Sequence, residues 1–497
     1  MNKKFLSLLT VPMLLLSCAG NGESSNNNVI DDSNALIKEN TTIEFLCLTD
    51  SHYKSELERM IKEFKTIEPH VTVNLTNPPA AGDYTVLEKM VVAGFFQEDY
   101  PDIVQCYPDN VVKYMDRGYA LNLDKYLNNE TYGLKEEKSD YIDSYLDEGA
   151  NYSMDGTYSL PFCKSTELLY YNADVLIGLD LSGVNASINE GKPLDFDYLN
   201  NLTWDELFNN LCPAIKTFNS AQDASHKIYD DVADEHGNPG IFTYDSDENF
   251  FITLAMQNDL GYTSFNKEVG KGQIDFNNEG MRNLLKTMNS ATKNGYLQTK
   301  GSNGDYVAEL FIRRKALFTV SSTAGLSYNI VSDYDVKENG LTKFEVGVAR
   351  IPHAEGHEYS SINQGPSICL LDHQDENRAL ASYLFWKHIT NKDNSLSWAV
   401  NTGYMGIRHS NYESDAYKEA LAIVDKDDIY SIAVSENLNM ISQVSAYTFN
   451  TAVFKGSSNA RKNAGKLMTA CLKDDDIENN VAALFTQFSE DAESYLG

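Results

Sequence analysis

The feature that most constrains the fold is a regular alternation of strand-like and helix-like segments between residues 42 and 118. The apolar runs at 42–48, 71–75 and 102–106 have the length of buried strands. The segments that follow them carry apolar residues at helical spacing, and Glu68-Pro69 and Gly118 supply stop signals. Such alternation predicts an α/β fold with a parallel sheet and crossover helices. The predicted helices are 55–67, 84–95 and 109–117.

The loops after the first and third predicted strands are candidate ligand-binding positions. In open α/β sheets, ligands bind beyond the carboxyl ends of the strands. The first of these loops, 49–52, contains Asp50, and the loop 107–109 contains Asp109. Both carboxylates are therefore candidate ligand-binding groups.

The rest of the chain is more helical and returns twice to strand character. Thr203, with Glu206 three residues later, predicts a capped helix over 204–216. Amphipathic spacing and β-branched runs predict the remaining elements. These are helices at 281–295, 378–389 and 459–472, and strands at 344–349 and 367–371.

The amino-terminal segment is typical of a secretory signal. Lys3 and Lys4 precede an apolar run over 5–16 that ends in Leu15-Leu16-Ser17-Cys18. The run is shorter than the ~20 residues that span a bilayer. Its ending resembles the lipobox of bacterial lipoproteins, which implies removal of residues 1–17 and acylation of Cys18. An ordinary signal peptide that happens to end in cysteine is the alternative. The polar segment that follows predicts a flexible tether over 18–40, on the outer face of a bacterial cell membrane or in a periplasm.

Composition and missing motifs argue against several other classes of protein. With 40 Lys+Arg against 72 Asp+Glu, the surface repels nucleic acid. The cysteines after Cys18 are widely spaced without a CxxC pair, and we expect Cys47, Cys106 and Cys369 to be buried small apolar residues. Nothing near His353 completes a metal site. Because the chain carries no P-loop, GxSxG or strand-linked GxGxxG motif, it predicts no enzyme, metal or cofactor.

Several longer segments together resemble the family 1 extracellular solute-binding proteins of ABC importers. The most specific is 155–172, DGTYSLPFCKSTELLYYN, which is similar to that family's DG-x-x-Y-x-x-P segment leading into an apolar strand. The pieces follow the family's order along nearly all of the mature chain, and the glycerol-3-phosphate-binding branch is the most similar. The other matching segments are 101–104, 118–124, 203–207, 316–322 and 398–404.

The resemblance implies a two-lobe, type II periplasmic-binding-protein fold with hinge-linked α/β lobes and a ligand cleft between them. It implies a monomer that delivers a small carbohydrate or polyol phosphate to ABC permease subunits, with the membrane reached by the lipid anchor only. A secreted glycosidase, with two inward carboxylates ~5–10 Å apart, and a surface adhesin without a deep cleft are the alternatives. The predicted lobes are 41–163 plus 344–372, and 164–343 plus 373–497.

The resemblance also implies ligand-binding residues. Arg461 matches a carboxyl-terminal arginine suited to phosphate or hydroxyls, with a solvated helix charge as the alternative. Two departures bear on the ligand: Pro108 stands where that branch has an acid, and Tyr244 and Asp245 stand nearest to its cleft tryptophan. The remaining positions carried over are Tyr84, Ser165, Thr166, Tyr244, Ser321, Ser322 and Gly365.

Overall fold

A computed structural model describes residues 33–48, 51–78, 84–266, 268–304, 306–422 and 428–496. The predicted signal, Cys18, most of the tether and Asp50 therefore lie outside the described residues. Within those ranges, no helix is both long and apolar enough to cross a membrane.

The strands of the described chain form two larger sheets and two strand pairs. The three amino-terminal strands match the sequence prediction to within two residues at each end. The strands are β1 Thr41–Leu46, β2 Val71–Thr76, β3 Ile103–Cys106, β4 Leu160–Pro161, β5 Glu167–Asn172, β6 Phe242–Tyr244, β7 Thr263–Asn266, β8 Lys271–Ile274, β9 Leu297–Thr299, β10 Phe318–Ser322, β11 Val346–Ala349, β12 Ser361–Ile362, β13 Ser367–Leu370 and β14 Thr448–Phe449.

Both larger sheets are mixed rather than wholly parallel. The first has the order β2-β1-β3-β13-β4, and the second β11-β5-β10-β6-β9. In the first sheet, β1 runs parallel to β2 and β3, which confirms the prediction for the amino-terminal segment. β13 then enters antiparallel to β3, because the chain returns to this sheet from the other lobe.

The helices cover the two sheets and connect them. Those predicted from sequence are present with ends shifted by up to four residues, as is common at helix termini. The helices are α1 Ser51–Ile67, α2 Tyr84–Phe95, α3 Pro108–Met115, α4 Asp124–Leu127, α5 Asp143–Glu148, α6 Ala173–Leu176, α7 Phe196–Leu199, α8 Cys212–Ser220, α9 Asp247–Gln257, α10 Glu279–Lys293, α11 Lys300–Asn303, α12 Ala308–Ile312, α13 Asp333–Asn339, α14 Glu376–Ile389, α15 Lys392–Thr402, α16 His409–Glu413, α17 Asp415–Ala420, α18 Ile429–Val444, α19 Ser457–Lys473 and α20 Ile477–Glu493.

The helix predicted at 204–216 contains a wider turn than an α-helix. Residues Glu206–Leu211 are π-helical and lead directly into α8. Pro213 has no N–H and its ring crowds the carbonyl four residues earlier, so a widened turn relieves the clash. The Thr203 hydroxyl accepts the Glu206 N–H at 3.1 Å, which confirms the predicted start of the helix.

Each larger sheet is buried on both faces by its own core. In the first sheet, Phe45 and Leu46 point into different clusters on opposite faces. In the second sheet, Leu168 and Leu169 divide in the same way. This alternation follows from the two-residue period of a strand. Two sheets with separate cores form two lobes, as the fold prediction required.

Two of the predicted lobe boundaries are wrong. β11 pairs with β5, so Val346–Ala349 lies in the second lobe and not in the first. Trp386 of α14 and Trp398 of α15 are buried in the first lobe's core, so these helices lie in the first lobe and not in the second. Apolar periodicity identifies an amphipathic element but does not say which of two sheets it covers.

The cysteines in the described ranges are all buried and unbridged. This confirms the prediction for Cys47, Cys106 and Cys369. In the same part of the chain, no group of three or more His, Cys, Asp or Glu side chains comes together as a metal site.

Candidate functional site

Three chain segments cross between the lobes side by side and form a hinge. The N–H of Ser165 donates to the Gln364 carbonyl at 2.9 Å, and the Gln364 N–H donates back to the Ser165 carbonyl at 2.9 Å. The Met405 N–H donates to the Lys164 carbonyl at 2.6 Å and adds the third crossing. Backbone hydrogen bonds therefore align all three crossings.

Gly365 is required by this close packing. Its φ is +95°, and a Cβ built there would lie 2.0 Å from the Cys163 carbonyl oxygen of the neighbouring crossing. A left-handed backbone and a missing side chain are both needed at this position. This gives Gly365 a structural reason, and its contact with ligand stays a prediction.

Thr166 faces the interior of the hinge and not a cleft. Its side chain is fully buried, and its hydroxyl shares a hydrogen bond with the Ser361 hydroxyl and donates to the Ile362 carbonyl, both at 2.8 Å. These partners give the Thr166 hydroxyl a structural role, and its contact with ligand stays a prediction. Its neighbour Ser165 is also buried in the crossing, through the backbone pair with Gln364.

The carboxyl ends of strands from both lobes border the space between the lobes. In the first lobe, β3 leads into Tyr107 and Asp109, and in the second lobe β6 leads into Asp245. The Ser457 hydroxyl, at the start of α19, donates to the Asp109 carboxylate at 2.5 Å and connects the lobes directly. Burial raises the pKa of Asp109, against the lowering effects of the Ser457 hydroxyl and the Arg461 guanidinium.

The first lobe presents tyrosines to this space; we call Tyr53, Tyr84, Tyr107 and Tyr404 the aromatic face. The Tyr84 ring packs edge-on against Tyr107 with centroids 4.7 Å apart, and Tyr53 lies 5.7 Å from Tyr404. The Tyr53 hydroxyl donates to the Ala324 carbonyl of the second lobe at 3.3 Å. Burial raises the pKa of Tyr84, Tyr107 and Tyr404, so their phenols stay neutral and can donate hydrogen bonds.

The second lobe presents a hydrogen-bonded network; we call Glu167, Tyr244, Asn249, Gln364 and Arg461 the polar relay. The Asn249 amide nitrogen donates to Glu167 Oε1 at 2.6 Å and to Gln364 Oε1 at 2.7 Å. The Asn249 amide oxygen accepts from Arg461 Nη2. Within the described chain, Arg461 forms no ion pair, so most of its five N–H donors remain available to a ligand.

Glu167 is the buried acid of the polar relay. Glu167 is only 2% exposed, and burial raises the pKa of its carboxyl to about 7. Hydrogen bonds from Tyr244 and Asn249 and the charge of Arg461 oppose this rise without cancelling it. The carboxyl therefore changes protonation near neutral pH.

Tyr244 is the buried aromatic member of the polar relay. It is fully buried, stacks on Phe250 with centroids 4.5 Å apart, and donates its hydroxyl hydrogen bond to Glu167. The Tyr244 hydroxyl therefore already has a partner inside the polar relay, and its contact with ligand stays a prediction. Asp245 follows at the strand end, with Oδ1 buried and without a hydrogen-bond partner in the described chain.

The predicted serine pair ends strand β10. Ser321 is buried, and the Ser322 hydroxyl accepts the Ala324 N–H at 3.3 Å, so it caps the turn that follows. The Ser322 hydroxyl therefore has a structural partner already. Ligand contact by the pair stays a prediction.

Sequence reasoning missed Tyr107, Glu167, Asn249, Gln364 and Ser457. Tyr107 begins the predicted 107–109 loop, and Glu167 and Gln364 are the immediate neighbours of two predicted residues. These three had a local signal. Asn249 and Ser457 lie in helical first turns far from the hinge in sequence, so only the folded chain brings them to the site.

A family model described as "Bacterial extracellular solute-binding protein" matches residues 59–424. A curated relative, the multiple sugar-binding protein of Streptococcus mutans, is 31% identical over 120 residues. That alignment spans 23% of this chain and only 24% of the relative's length.

Solved structures are similar over most of their length. UgpB from Mycobacterium tuberculosis, in complex with glycerophosphocholine, has a TM-score of 0.67 at 15% identity, with 92% of this chain and 98% of that chain covered. The GacH receptor of Streptomyces glaucescens has a TM-score of 0.63 at 15% identity, with 91% of this chain and 99% of that chain covered. The maltotriose-bound MalE domain from Bdellovibrio bacteriovorus has a TM-score of 0.62 at 14% identity, with 91% of this chain and 99% of that chain covered. These similarities establish the two-lobe fold.

Proposed function

We propose a transport function for this chain, which belongs to the bacterial extracellular solute-binding proteins. It captures a sugar or polyol phosphate between its lobes and delivers it to the permease of an ABC importer. The observation that carries the proposal is the hinge, where three paired crossings connect lobes whose strand ends face each other. A ligand that contacts both lobes binds the closed state better and shifts the population toward it.

The chemistry of the two faces supports a hydroxyl-rich ligand. Rings of the aromatic face offer flat apolar surfaces with hydroxyl donors at their edges. Arg461 offers the donors that suit hydroxyls or a phosphate. The relatives named above bind sugars or glycerophosphocholine by their descriptions. The departures at Pro108 and Asp245 from the glycerol-3-phosphate-binding branch favour a ligand other than glycerol 3-phosphate.

The proposal includes a lipid anchor at Cys18, a monomeric chain and no catalytic activity. Where the described chain begins, it is already attached to the first lobe. The N–H groups of Leu36 and Ile37 donate to the Glu68 carboxylate at 3.0 Å, and Ile37 is buried in the core. Residues 36 and 37 of the predicted 18–40 tether are therefore bonded to the first lobe, and the lipid anchor would hold the cleft near the membrane.

Thermal unfolding of the full chain with a ligand panel tests the proposal. The panel contains maltose, maltotriose, glycerol 3-phosphate, glucose 1-phosphate and glycerophosphocholine. A member present at 100 times its Kd should stabilise the chain by ~2.7 kcal/mol. Arg461→Ala should abolish that shift, whereas Lys462→Ala, at the exposed next position of α19, should keep it. If no panel member raises the Tm, this ligand class is wrong.

The same samples distinguish a binding protein from an enzyme. A glycosidase would need two inward carboxylates ~5–10 Å apart and would release product from the sugars it binds. We expect maltose and maltotriose to be recovered intact after prolonged incubation. Stoichiometric excess of released glucose, lost in an Asp109→Asn variant, would support the enzyme instead.

A further inference from the structure

One amide side chain connects three separate segments at the site. Asn249, in the first turn of α9, donates to Glu167 at the start of β5 and to Gln364 in a hinge crossing, and accepts from Arg461 of α19. Both amide N–H donors are used, and the side chain is buried. Since each partner belongs to a different segment, Asn249 cannot reorient without disturbing all three.

The polar relay lies next to the paired Ser165 and Gln364 crossings of the hinge. On the first-lobe side, buried Lys164 pairs with Glu148, which also accepts from the Ser367 hydroxyl at 3.0 Å. On the second-lobe side, Glu167 and Gln364 are held by Asn249. These contacts leave little backbone between them to absorb opening and closing, and hinges consist of a few such residues.

We propose that Asn249 and Glu167 are positioning residues that couple the Arg461 guanidinium in the cleft to the Gln364 crossing of the hinge. This rests on the proposed function, because it assigns the route by which an occupied cleft acts on the hinge. Glu167, fixed by Tyr244, orients the Asn249 amide. Asn249 then sets the guanidinium and the crossing relative to each other.

Ligand binding at Arg461 changes the energy of this arrangement. A ligand oxygen that accepts hydrogen bonds from the guanidinium fixes the Arg461 side chain on the cleft side. The Nη2 hydrogen bond to Asn249, which in turn donates to Gln364, then holds the Gln364 crossing in the matching position. Without Asn249, the buried Glu167 carboxyl and the half-buried Gln364 side chain each lose a donor, and unsatisfied buried groups are costly. The hinge angle would then no longer depend on the position of the Arg461 side chain.

The distance between the lobes tests this coupling without any ligand. Spin labels on Glu130→Cys in the first lobe and Glu190→Cys in the second, in a full chain carrying Cys18→Ser, report the distance by electron double resonance. Both positions are exposed, and the described native cysteines are buried. We expect Asn249→Ala to lengthen or broaden the distance distribution, and Gln364→Ala to do the same. Combining Asn249→Ala with Arg461→Ala should change it by less than the sum of the single effects.

Asn289→Ala is the matched control. Asn289 is equally buried and donates to the Cys471, Leu472 and Asp474 carbonyls, all inside the second lobe. It should lower the Tm as Asn249→Ala does and leave the distance unchanged. If Asn249→Ala and Gln364→Ala also leave the distance unchanged, Asn249 is merely structural and the coupling is refuted. Failure of the ligand panel would instead refute the proposed ligand class, since this readout contains no ligand.

Discussion

The two sides of the hinge hold their crossings by different chemistry. On the first-lobe side, the Lys164 ammonium, 0% exposed, pairs with the Glu148 carboxylate. On the second-lobe side, the Glu167 carboxyl is bonded by the neutral donors of Tyr244 and Asn249, and its pKa rises to about 7. Opposite charges make the first side a fixed anchor. Among the described residues, the Glu167 carboxyl forms no ion pair, so the second side can respond to protonation and to what binds Arg461.

The largest expected effect comes from removing the Lys164–Glu148 ion pair on the first-lobe side. Lys164→Met leaves the Glu148 carboxylate buried without its counter-charge, and removing one partner of a buried pair costs ~3–5 kcal/mol. Chemical denaturation should show a loss of that size. Lys192→Met, which breaks an exposed pair with Glu190, is the control and should change nothing measurable. A loss for Lys164→Met as small as the control's would show that the pair is not an anchor.

The second effect concerns the protonation of Glu167. Its pKa is raised from 4.5 to about 7 in the folded chain, so the folded state holds a proton that the unfolded state has released between these values. The stability that this provides is complete below about pH 4.5 and is lost as pH rises through 7, with a total of about 3 kcal/mol.

The pH dependence can be assigned with two variants. Glu167→Gln should flatten the fall in unfolding free energy between pH 5 and pH 8. Burial also raises the pKa of Glu436 to about 7. The Glu436 carboxylate accepts a hydrogen bond from the Val348 N–H of β11 and lies away from the hinge. Glu436→Gln should remove its own share and leave that of Glu167. An unchanged pH profile in Glu167→Gln would contradict the description of the second side.

A smaller effect tests the close packing between the crossings. Gly365→Ala adds a Cβ 2.0 Å from the Cys163 carbonyl oxygen, at a φ of +95°. Gly304→Ala is the matched control, since its φ is +90° and nothing lies within 4 Å of its Cβ. We expect ~1–2 kcal/mol for the control from backbone strain alone and a clearly larger loss of stability for Gly365→Ala. Equal losses would mean that the crossings can separate freely.

The smallest effect concerns Thr166. Thr166→Val keeps the shape of the side chain and removes the hydroxyl that bonds Ser361 and Ile362. We expect a loss of ~1–2 kcal/mol in unfolding free energy, with ligand-induced stabilisation unchanged. A ligand response lost at unchanged stability would instead support the prediction that Thr166 contacts the ligand.

The sequence was sufficient for the local elements and the fold class. The 42–118 alternation predicted three strands and three helices that the structure contains, because each buries an apolar face with its own period. It could not assign β11, α14 and α15 to a lobe, since both lobes offer equivalent apolar sheets. The antiparallel entry of β13 also depends on a return crossing that leaves no local pattern.

The site was predictable only in part. Strand ends and the family resemblance pointed to Asp109 and Arg461, which the structure bonds to Ser457 and Asn249; their contact with ligand stays a prediction. A sequence position does not show which way a side chain points, so the buried partners of the Tyr244 and Thr166 hydroxyls could not be foreseen. Asn249 bonds a partner 212 residues away in the sequence, so no local pattern could reveal it.

The distance between labels at Glu130→Cys and Glu190→Cys, measured during titration with each panel member, tests the central claim most directly. We predict that a sugar or polyol phosphate shortens this distance in the labelled chain without further substitutions. At the same ligand concentration, Arg461→Ala should abolish the shortening and Lys462→Ala should preserve it. A panel member that binds by calorimetry yet leaves the distance unchanged would contradict ligand capture by hinge closure.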